Sequence, residues 1–330
     1  MILISLLGIL LALSIDSVFG DPKNKFHPTA WVGTLIGKLV PLIKNHNPTI
    51  EKLGGMILTI LITALVATVL YFLNDSLYYL NLFDFNSMTT VITMIFSIIV
   101  TGVLLKTTIA IKGMEKHAAI IMQAVSKDNL DDARTKLSMI VKRDTRNLDR
   151  QHIISGTLES ISENTVDGII GPLFYFTIFG LPGAFIYRTI NTIDSMIGYK
   201  TDLFRNLGWF GANCDMILNF LPARITSLVM IFAVMILRGD WRHSLEIMRN
   251  DCKKTESPNA GYPMAVMAGA LSAKFEKLNH YVLGNGNLEL TENHVKSAIS
   301  IMKLTIILFC ALFAVPMIIL LSYMGWGIHA

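Results

Sequence analysis

The chain has 330 residues, of which 52% are hydrophobic and only 16% are charged, and its mean hydropathy is +0.53. Soluble domains usually carry about 25% charged residues, so this composition argues against a soluble protein. The net charge of +4 comes with no basic run interleaved with aromatic residues, which argues against a nucleic-acid partner. The three widely spaced cysteines indicate neither a disulfide framework nor a metal cluster.

Uncharged apolar stretches, taken in chain order, predict membrane-spanning helices near residues 1–15, 53–74, 85–105 and 304–328. A span needs about 20 apolar residues, so the first stretch is short and the other three are long enough. Two further stretches leave the number of spans open between four and six. Residues 168–187 are interrupted by glycine and proline, and residues 225–237 are short. We expect both to be re-entrant or half-membrane segments, which gives four spans in a single, all-α, polytopic membrane domain covering 1–330.

Basic residues predict the orientation of the chain in a cell membrane. Lysines and arginines are frequent in 16–54 and 112–167 and absent from 74–87. Because basic loops stay on the cytoplasmic side, we expect the N-terminus and 74–87 to face outward, and 112–152 to be a cytoplasmic helical insertion. Apolar residues recur at helical spacing in that insertion, after a candidate N-cap at Asp128 or Asn129. They are Leu130, Ala133, Leu137 and Ile140.

Polar residues gather in four clusters at the ends of the apolar stretches, and the first cluster follows residues 1–15. It contains Asp16, Asp21 and His27. Two carboxylates and a histidine at a helix end could bind a cation or phosphate-bound magnesium. The alternative is a simple turn, since Gly20, Asp21 and Pro22 are common turn formers.

The second cluster is an acidic stripe after Arg143-Asp144. Glu159, Glu163 and Asp167 follow one another at intervals of four residues, so on a helix they share a face. Like charges at that spacing repel, and a magnesium ion with its preference for oxygen ligands would relieve the repulsion. Asn164 lies within the same stripe. The alternative is a solvated acidic face neutralised by nearby arginines.

The third cluster is a polar stripe on an otherwise apolar helix. Arg188, Asn191 and Asp194 recur at helical spacing. An interfacial helix with its wet face outward explains the pattern equally well.

The fourth cluster, Ser257-Pro258-Asn259, predicts a helix start with Ser257 as N-cap and Pro258 in the first helical position. Free backbone N–H groups there could hold a phosphate, and plain capping is the alternative.

These clusters resemble the adenosylcobinamide-phosphate synthase family, integral membrane proteins of cobalamin biosynthesis. Six segments match in family order and spread over most of the chain. They are Asp16 to Pro28, Lys142 to Thr145, Glu159 to Phe174, Asn191 to Tyr199, Asn219 to Arg224, and Ser257 to Leu271.

The resemblance implies an enzyme that uses ATP and Mg²⁺ to join adenosylcobyric acid to (R)-1-aminopropan-2-ol phosphate. Its partners would be these three substrates, the lipid bilayer and other membrane proteins of the pathway. It implies catalytic roles for Asp144, Glu159, Glu163, Asp167 and Asp194, with Glu159, Glu163 and Asp194 as magnesium ligands. It implies binding roles for Asp21, His27, Arg143, Asn164, Arg188, Asn191, Arg224, Ser257 and Asn259.

The chain departs from the family pattern at two places. Cys214-Asp215 stands where the family often has paired aspartates, so the role of that pair is in doubt. Residues 274–281 replace a stretch that is usually glycine-rich, which leaves the choice between aminopropanol phosphate and ethanolamine phosphate open. A transporter with broken helices and a non-catalytic membrane sensor or assembly protein remain alternative functions.

Overall fold

The computed structural model of the chain describes residues 2–82, 87–199, 201–286 and 289–326. Residues 85 and 86 of the predicted span 85–105 lie outside the described residues, as do residues 327 and 328 of the predicted span 304–328. The α-helices in chain order are α1 (Ile2–Phe19), α2 (Pro28–Ile43), α3 (Pro48–Leu82), α4 (Ser87–Lys106), α5 (Ile111–Ser126), α6 (Leu130–Leu137), α7 (Arg150–Thr165), α8 (Gly171–Ile197), α9 (Trp209–Leu218), α10 (Phe220–Ile236), α11 (Trp241–Asp251), α12 (Gly261–Ala270), α13 (Glu292–Phe309) and α14 (Val315–Tyr323). A 3₁₀ turn (Asn24–Phe26) and two π-helical segments (Val166–Ile170 and Cys310–Ala314) complete the helical structure that is described.

The predicted fold class, an all-α polytopic membrane protein, is confirmed. In the part of the chain that the structure describes, five helical stretches are long and apolar enough to cross a membrane: Ile2–Phe19, Pro48–Asn81, Met88–Ser126, Arg150–Ile197 and Glu292–Tyr323. The bent pair of α9 and α10, which meet at 41°, would be a sixth. Four of these stretches overlap the predicted spans. The fifth includes residues 168–187, so length and composition allow five or six crossings where we expected four.

The chain folds into two compact units, each assembled from segments that are distant in sequence. The first unit comprises residues 1–110, 171–218 and 312–330, and the second comprises residues 111–170 and 219–311.

In the first unit, α1 and α4 pack closely because each presents a glycine to the other. A Cβ on Gly8 would lie 2.8 Å from Thr101, and a Cβ on Gly102 would lie 2.8 Å from Leu11. Small residues at such contacts let apolar helices approach in lipid. A separate apolar cluster joins α2, α3 and α8 through Ile36, Leu58, Ile62, Ile193, Ile197 and Leu207.

Helix α8 is broken in the middle, as the glycines and prolines of residues 168–187 predicted. Gly180 has φ 62° and ψ −153°, a conformation that favours glycine, and Pro182 follows it.

In the second unit, α7 is the central helix, since every residue from Ile153 to Ser162 is buried. The predicted helix of the insertion is α6, and Asn129 is its N-cap, with the side-chain oxygen accepting the N–H of Asp132. The helix ends at Leu137, so Ile140 does not extend its apolar face as predicted.

Two local features of the second unit differ from the sequence pattern. A short antiparallel hairpin pairs β1 (Phe275–Lys277) with β2 (Tyr281–Leu283), in a region where no strand alternation was visible. Strands of three residues are too short to show a period of two. Helix α10 begins at Phe220, before the apolar stretch 225–237. Arg224, which bounds that stretch in the sequence, therefore lies inside the helix.

Candidate functional site

A buried lysine at the end of α4, in the first unit, binds two aspartates, one in the last turn of α1 and one just beyond it. Lys106 is 3% exposed, and its Nζ lies 2.8 Å from Asp16 Oδ1 and 2.6 Å from Asp21 Oδ1. Asp16 is fully buried in the last turn of α1, where its backbone oxygen accepts the N–H of Gly20, whereas Asp21 is 34% exposed. Because a buried charge is tolerated only when it is paired, Lys106 compensates Asp16 and holds Asp21 beside it. The first cluster was predicted to bind a cation between its two carboxylates. In the structure, the ammonium group of Lys106 lies at that position.

His27 adjoins this ion pair. Its Nε2 lies 4.0 Å from Asp21 Oδ1, and its Nδ1 is buried with no hydrogen-bond partner among the described residues. Burial lowers the pKa of His27, and the positive charges of Lys106 and Arg188 lower it further, although Asp21 opposes the shift. The imidazole is therefore neutral at pH 7. Asp21 and His27, predicted as binding residues, come together.

The polar stripe of α8 connects to α9. Arg188 Nη1 donates to Asn191 Oδ1 at 3.2 Å, and Asn191 Nδ2 donates to Asp215 Oδ1 at 3.2 Å. Asp215, whose role the sequence left in doubt, thus joins two predicted binding residues. Asp194 lies near the C-terminal end of α8, and its backbone oxygen accepts the N–H of Gly198 at 2.8 Å. The predicted helical spacing of the stripe is confirmed.

The centre of the second unit is the carboxylate of Glu159, which is 3% exposed. Arg143 Nη2 donates to Oε2, and so does the hydroxyl of Tyr281 at 2.7 Å. Ser155 Oγ donates to Oε1 at 2.9 Å. Burial alone would lower the pKa of Arg143, but the Glu159 carboxylate raises it above its usual value. Burial and the same carboxylate raise the pKa of Tyr281, so the phenol stays protonated and donates.

The remainder of the acidic stripe lies at the C-terminal end of α7 and in the π-helical segment that follows. Glu163, Asn164 and Asp167 are half-buried between buried neighbours. Asn164 Nδ2 donates to the backbone oxygen of Ser160 at 2.9 Å. The stripe therefore divides into a buried member, Glu159, and a half-buried group of three.

Arg224 is held between two aromatic rings in the second unit. Its guanidinium carbon lies 3.6 Å from the centre of the Phe220 ring and 4.4 Å from that of the Tyr262 ring. Its Nη1 donates to the backbone oxygen of Phe220 at 2.6 Å and to Asn259 Oδ1 at 3.1 Å. Asn259 is 4% exposed. We call this arrangement of Phe220, Arg224, Asn259 and Tyr262 the arginine clamp.

Two predicted roles do not fit the structure. Asp144 is exposed and forms its hydrogen bonds with Arg146, so the structure separates it from the Arg143–Glu159 ion pair beside it in sequence. Ser257 does not cap a helix that starts at Pro258, because α12 begins at Gly261. Its Oγ instead accepts the N–H groups of Asn259 and Ala260 at 3.4 Å each, as in a turn.

Glu159 is also a poor candidate for a metal ligand, because a guanidinium and two hydroxyl groups already use its oxygens. Within residues 2–82, 87–199, 201–286 and 289–326, no three His, Cys, Asp or Glu side chains gather as a metal site would require. A magnesium ion held mainly by substrate phosphates needs just one or two carboxylates, and Glu163 and Asp167 have suitable oxygens.

Sequence reasoning missed two site residues, Lys106 and Tyr281. Lys106 marked the end of an apolar stretch, and a lysine there usually faces water. Asp16 was a candidate cation ligand of the first cluster, but its ion pair with Lys106 was not predicted. Tyr281 lies in the stretch that departs from the family pattern. The signal available for Lys106 and Asp16 was their position at membrane-helix ends, where an ionisable residue is costly unless it is paired.

Comparison with known proteins adds independent findings. A family profile described as "CobD/Cbib protein" matches residues 9–307. A protein of Methanothermobacter thermautotrophicus named "Probable cobalamin biosynthesis protein CobD" is 37% identical over 91% of this chain and 94% of its own. "Cobalamin biosynthesis protein CobD" of Dehalococcoides mccartyi is 39% identical over 85% of this chain and 87% of its own. A further CobD relative, from Methanocaldococcus jannaschii, is 36% identical over 92% of this chain and 95% of its own. No solved structure matches the chain.

Proposed function

The chain belongs to the CobD/Cbib family of cobalamin biosynthesis proteins, and on that premise we propose that it is an ATP-dependent ligase of the cell membrane. The reaction joins the free carboxylate of adenosylcobyric acid to the amine of (R)-1-aminopropan-2-ol phosphate and yields adenosylcobinamide phosphate. The amide-forming reaction and both substrates are part of the proposal.

The chemistry sets clear demands on the site. A carboxylate and an amine do not condense readily in water, because hydroxide is a poor leaving group. Transfer of the ATP γ-phosphoryl group to the carboxylate gives an acyl phosphate and releases ADP. The amine nitrogen then attacks the acyl carbon, phosphate departs with the bonding electrons, and the amine loses its proton. Such a site must bind phosphate groups at fixed positions and exclude water from the acyl phosphate.

The arginine clamp is the observation that supports the proposal most strongly. It joins two of the six family-like segments, Asn219 to Arg224 and Ser257 to Leu271, within one unit. A guanidinium stacked on two rings loses little freedom when it binds an anion, and its remaining edge donors fit phosphate or carboxylate. We therefore assign Arg224 to a substrate phosphate or to the reacting carboxylate, with Asn259 as its positioning residue.

Magnesium would neutralise the phosphate charge during transfer. Glu163 and Asp167 fit this ion, since both are half-buried carboxylates, one in the last turn of α7 and the other in the π-helical segment that follows. Asn164, between them, would orient a substrate amide. Glu159 would not contact the ion.

The first unit offers a second set of binding groups. Arg188 and Asn191 present a guanidinium and an amide, the groups that bind phosphate and the peripheral amides of a corrin. Asp21 and His27 lie together in the same unit and are further candidates for substrate binding. We propose that Asp194 supports the same reaction from α8.

Incubation of the purified protein with adenosylcobyric acid, the amine phosphate and Mg-ATP tests the proposal directly. We expect amide product, detected by mass, and ATP consumed in equal amount. The same assay with ethanolamine phosphate determines which amine is preferred. Wild-type activity in both Glu163→Gln and Asp194→Asn would refute the assigned site. Flux of a substrate into vesicles without amide product would identify a transporter instead.

Arg224→Lys provides the residue-level test. Lysine keeps the charge but loses the planar stack and the directed donors, so we expect the KM for the substrate that it binds to rise roughly tenfold or more. Arg242→Lys is the matched control, because Arg242 stacks on Trp241 at 5.1 Å and is exposed. Equal kinetics of the two variants would exclude substrate binding by the clamp.

Because ATP is cytoplasmic, the proposal requires the catalytic segments to face the cytoplasm. A single cysteine introduced as Ser195→Cys, next to Asp194, in a chain without its native cysteines reports the side of the membrane. We expect a membrane-impermeant maleimide to label it in inverted vesicles and not from outside intact cells. Labelling from outside would contradict the orientation.

A further inference from the structure

Glu159 has contacts with three separate parts of the second unit. It lies in α7, its Arg143 partner lies in the segment between α6 and α7, and its Tyr281 partner lies in β2. Ser155, one turn earlier in α7, donates to Glu159 and accepts the backbone N–H of Glu276 in β1 at 2.9 Å. Both strands of the hairpin are therefore attached to α7: β2 binds the Glu159 carboxylate directly, and β1 binds Ser155, which donates to the same carboxylate.

The arginine closes the network. Arg143 Nη1 donates to the backbone oxygen of Glu276 at 3.4 Å, while Nη2 binds Glu159. Tyr281 also reaches α12, with its hydroxyl 4.0 Å from the sulfur of Met264. The hairpin thus contacts both α7 and α12, and α12 follows the turn that carries Asn259 of the arginine clamp.

We infer that Glu159 is a positioning residue, which fixes the β1–β2 hairpin and the Arg143 segment on α7 and so sets the position of the α7 carboxylates relative to the arginine clamp. It acts through Tyr281, Ser155 and Arg143, and it contacts neither metal nor substrate. The inference rests on the proposed function for its catalytic consequence, but the attachment of the hairpin does not depend on it.

The physical reason lies in the burial of the network. A carboxylate that is 3% exposed beside an arginine that is 12% exposed is stable only while its partners remain in place. Loss of one partner leaves a buried group unsatisfied, and the hairpin then opens more often. Because small displacements of catalytic groups can slow a reaction up to about a hundredfold, the loosened hairpin lowers kcat in molecules that remain folded.

Hydrogen–deuterium exchange tests the attachment without any activity. In Glu159→Gln and Tyr281→Phe we expect amides of residues 275–283, above all that of Glu276, to exchange roughly tenfold to a hundredfold faster than in the wild type. Glu256→Gln is the matched control. Glu256 is 55% exposed and is paired with the same hairpin through Lys277 at 3.2 Å and through His280, so its replacement disturbs a solvent-accessible ion pair instead of the buried carboxylate. Unchanged exchange in Tyr281→Phe, or equal acceleration in Glu256→Gln, would overturn the inference.

Kinetics at a temperature well below unfolding separate positioning from other roles. We expect kcat per folded molecule to fall about tenfold in Tyr281→Phe, with the KM for ATP and the half-saturating Mg²⁺ concentration changed by less than about twofold. A tenfold rise in half-saturating Mg²⁺ in Glu159→Gln would make Glu159 a metal ligand, and wild-type kcat would make its role merely structural. If Glu159→Gln fails to fold, Tyr281→Phe decides alone. Wild-type protein without synthase activity would refute the proposed function and leave the exchange result to decide the attachment.

Discussion

Replacement of Lys106 by methionine should destabilise the first unit strongly. Methionine has nearly the length of lysine and no charge, so the change removes the ammonium while the space stays filled. Asp16 is then left fully buried beside an apolar side chain, whereas Asp21, at 34% exposure, can turn to water. Removal of one partner from a buried ion pair costs about 3–5 kcal/mol, and this range is our expected loss of unfolding free energy for Lys106→Met.

Asp16→Asn and the double variant Asp16→Asn/Lys106→Met measure how strongly the two buried charges depend on each other. Asp16→Asn leaves Lys106 paired with Asp21 alone, so its cost should be smaller, roughly 1–3 kcal/mol. Additivity would place the double variant at about 4–8 kcal/mol, the sum of the two ranges. We expect the double variant to cost less than Lys106→Met alone, because no charge then remains uncompensated at the buried position.

Equilibrium unfolding in detergent micelles measures these differences, with far-UV circular dichroism as the signal. The exposed pair Lys296–Glu292, with side chains 69% and 51% exposed, is the control, and Lys296→Met should cost less than about 1 kcal/mol. A loss below about 1 kcal/mol for Lys106→Met, or an additive double variant, would refute the claim that Lys106 compensates Asp16.

Two further predictions concern the pH dependence of stability at His27 and the exposed carboxylate of Asp144, which the sequence placed among the catalytic residues. Burial lowers the folded-state pKa of His27 below its ordinary 6.5, so the unfolded chain binds more protons as the pH falls through that value. The contribution of neutral His27 to the free energy of unfolding should thus be fully present above about pH 6.5 and should decline toward pH 5. In unfolding curves recorded at several pH values, His27→Gln should make the free energy of unfolding depend less on pH over this range. An unchanged pH dependence in His27→Gln would contradict the assignment. The hydrogen bonds from Arg146 lower the pKa of Asp144 to about 2, so this carboxyl stays ionised across the working range. Because Asp144 is exposed, Asp144→Asn should keep synthase kcat within about twofold, and a tenfold loss would return it to the catalytic residues.

The helices were predictable from sequence where membrane composition alone determines them. The uncharged stretch 53–74 lies within α3, residues 87–105 of the predicted span 85–105 form nearly all of α4, and the glycines of 168–187 correctly indicated a broken helix. Short or mixed elements were less predictable. The start of α10 was misplaced because a charge inside a helix looks like a boundary, and Arg224 is tolerated there because aromatic rings and Asn259 surround it.

Among the site residues too, the sequence predicted contacts within one helix but not burial or contacts with distant segments. Residue types and helical spacing were sufficient to group Arg188 with Asn191, since neighbours on one helix face are determined locally. The acidic stripe was correctly predicted to be helical, with Glu159 and Glu163 on α7 and Asp167 in the π-helical segment after it, but its members have different surroundings. Spacing cannot tell that Glu159 is buried against Arg143 and Tyr281 while Glu163 and Asp167 are half-buried.

The sequence by itself determined that this protein is built from helices that cross a membrane. A helix satisfies its backbone hydrogen bonds within its own segment, so the length of an apolar stretch is enough to specify it in lipid. The tertiary structure alone decided which charges are paired. Lys106 meets Asp21 across 85 residues and Tyr281 meets Glu159 across 122 residues, and no local pattern encodes either partner. Such pairs form because a charge removed from water must find an opposite charge wherever packing brings one near.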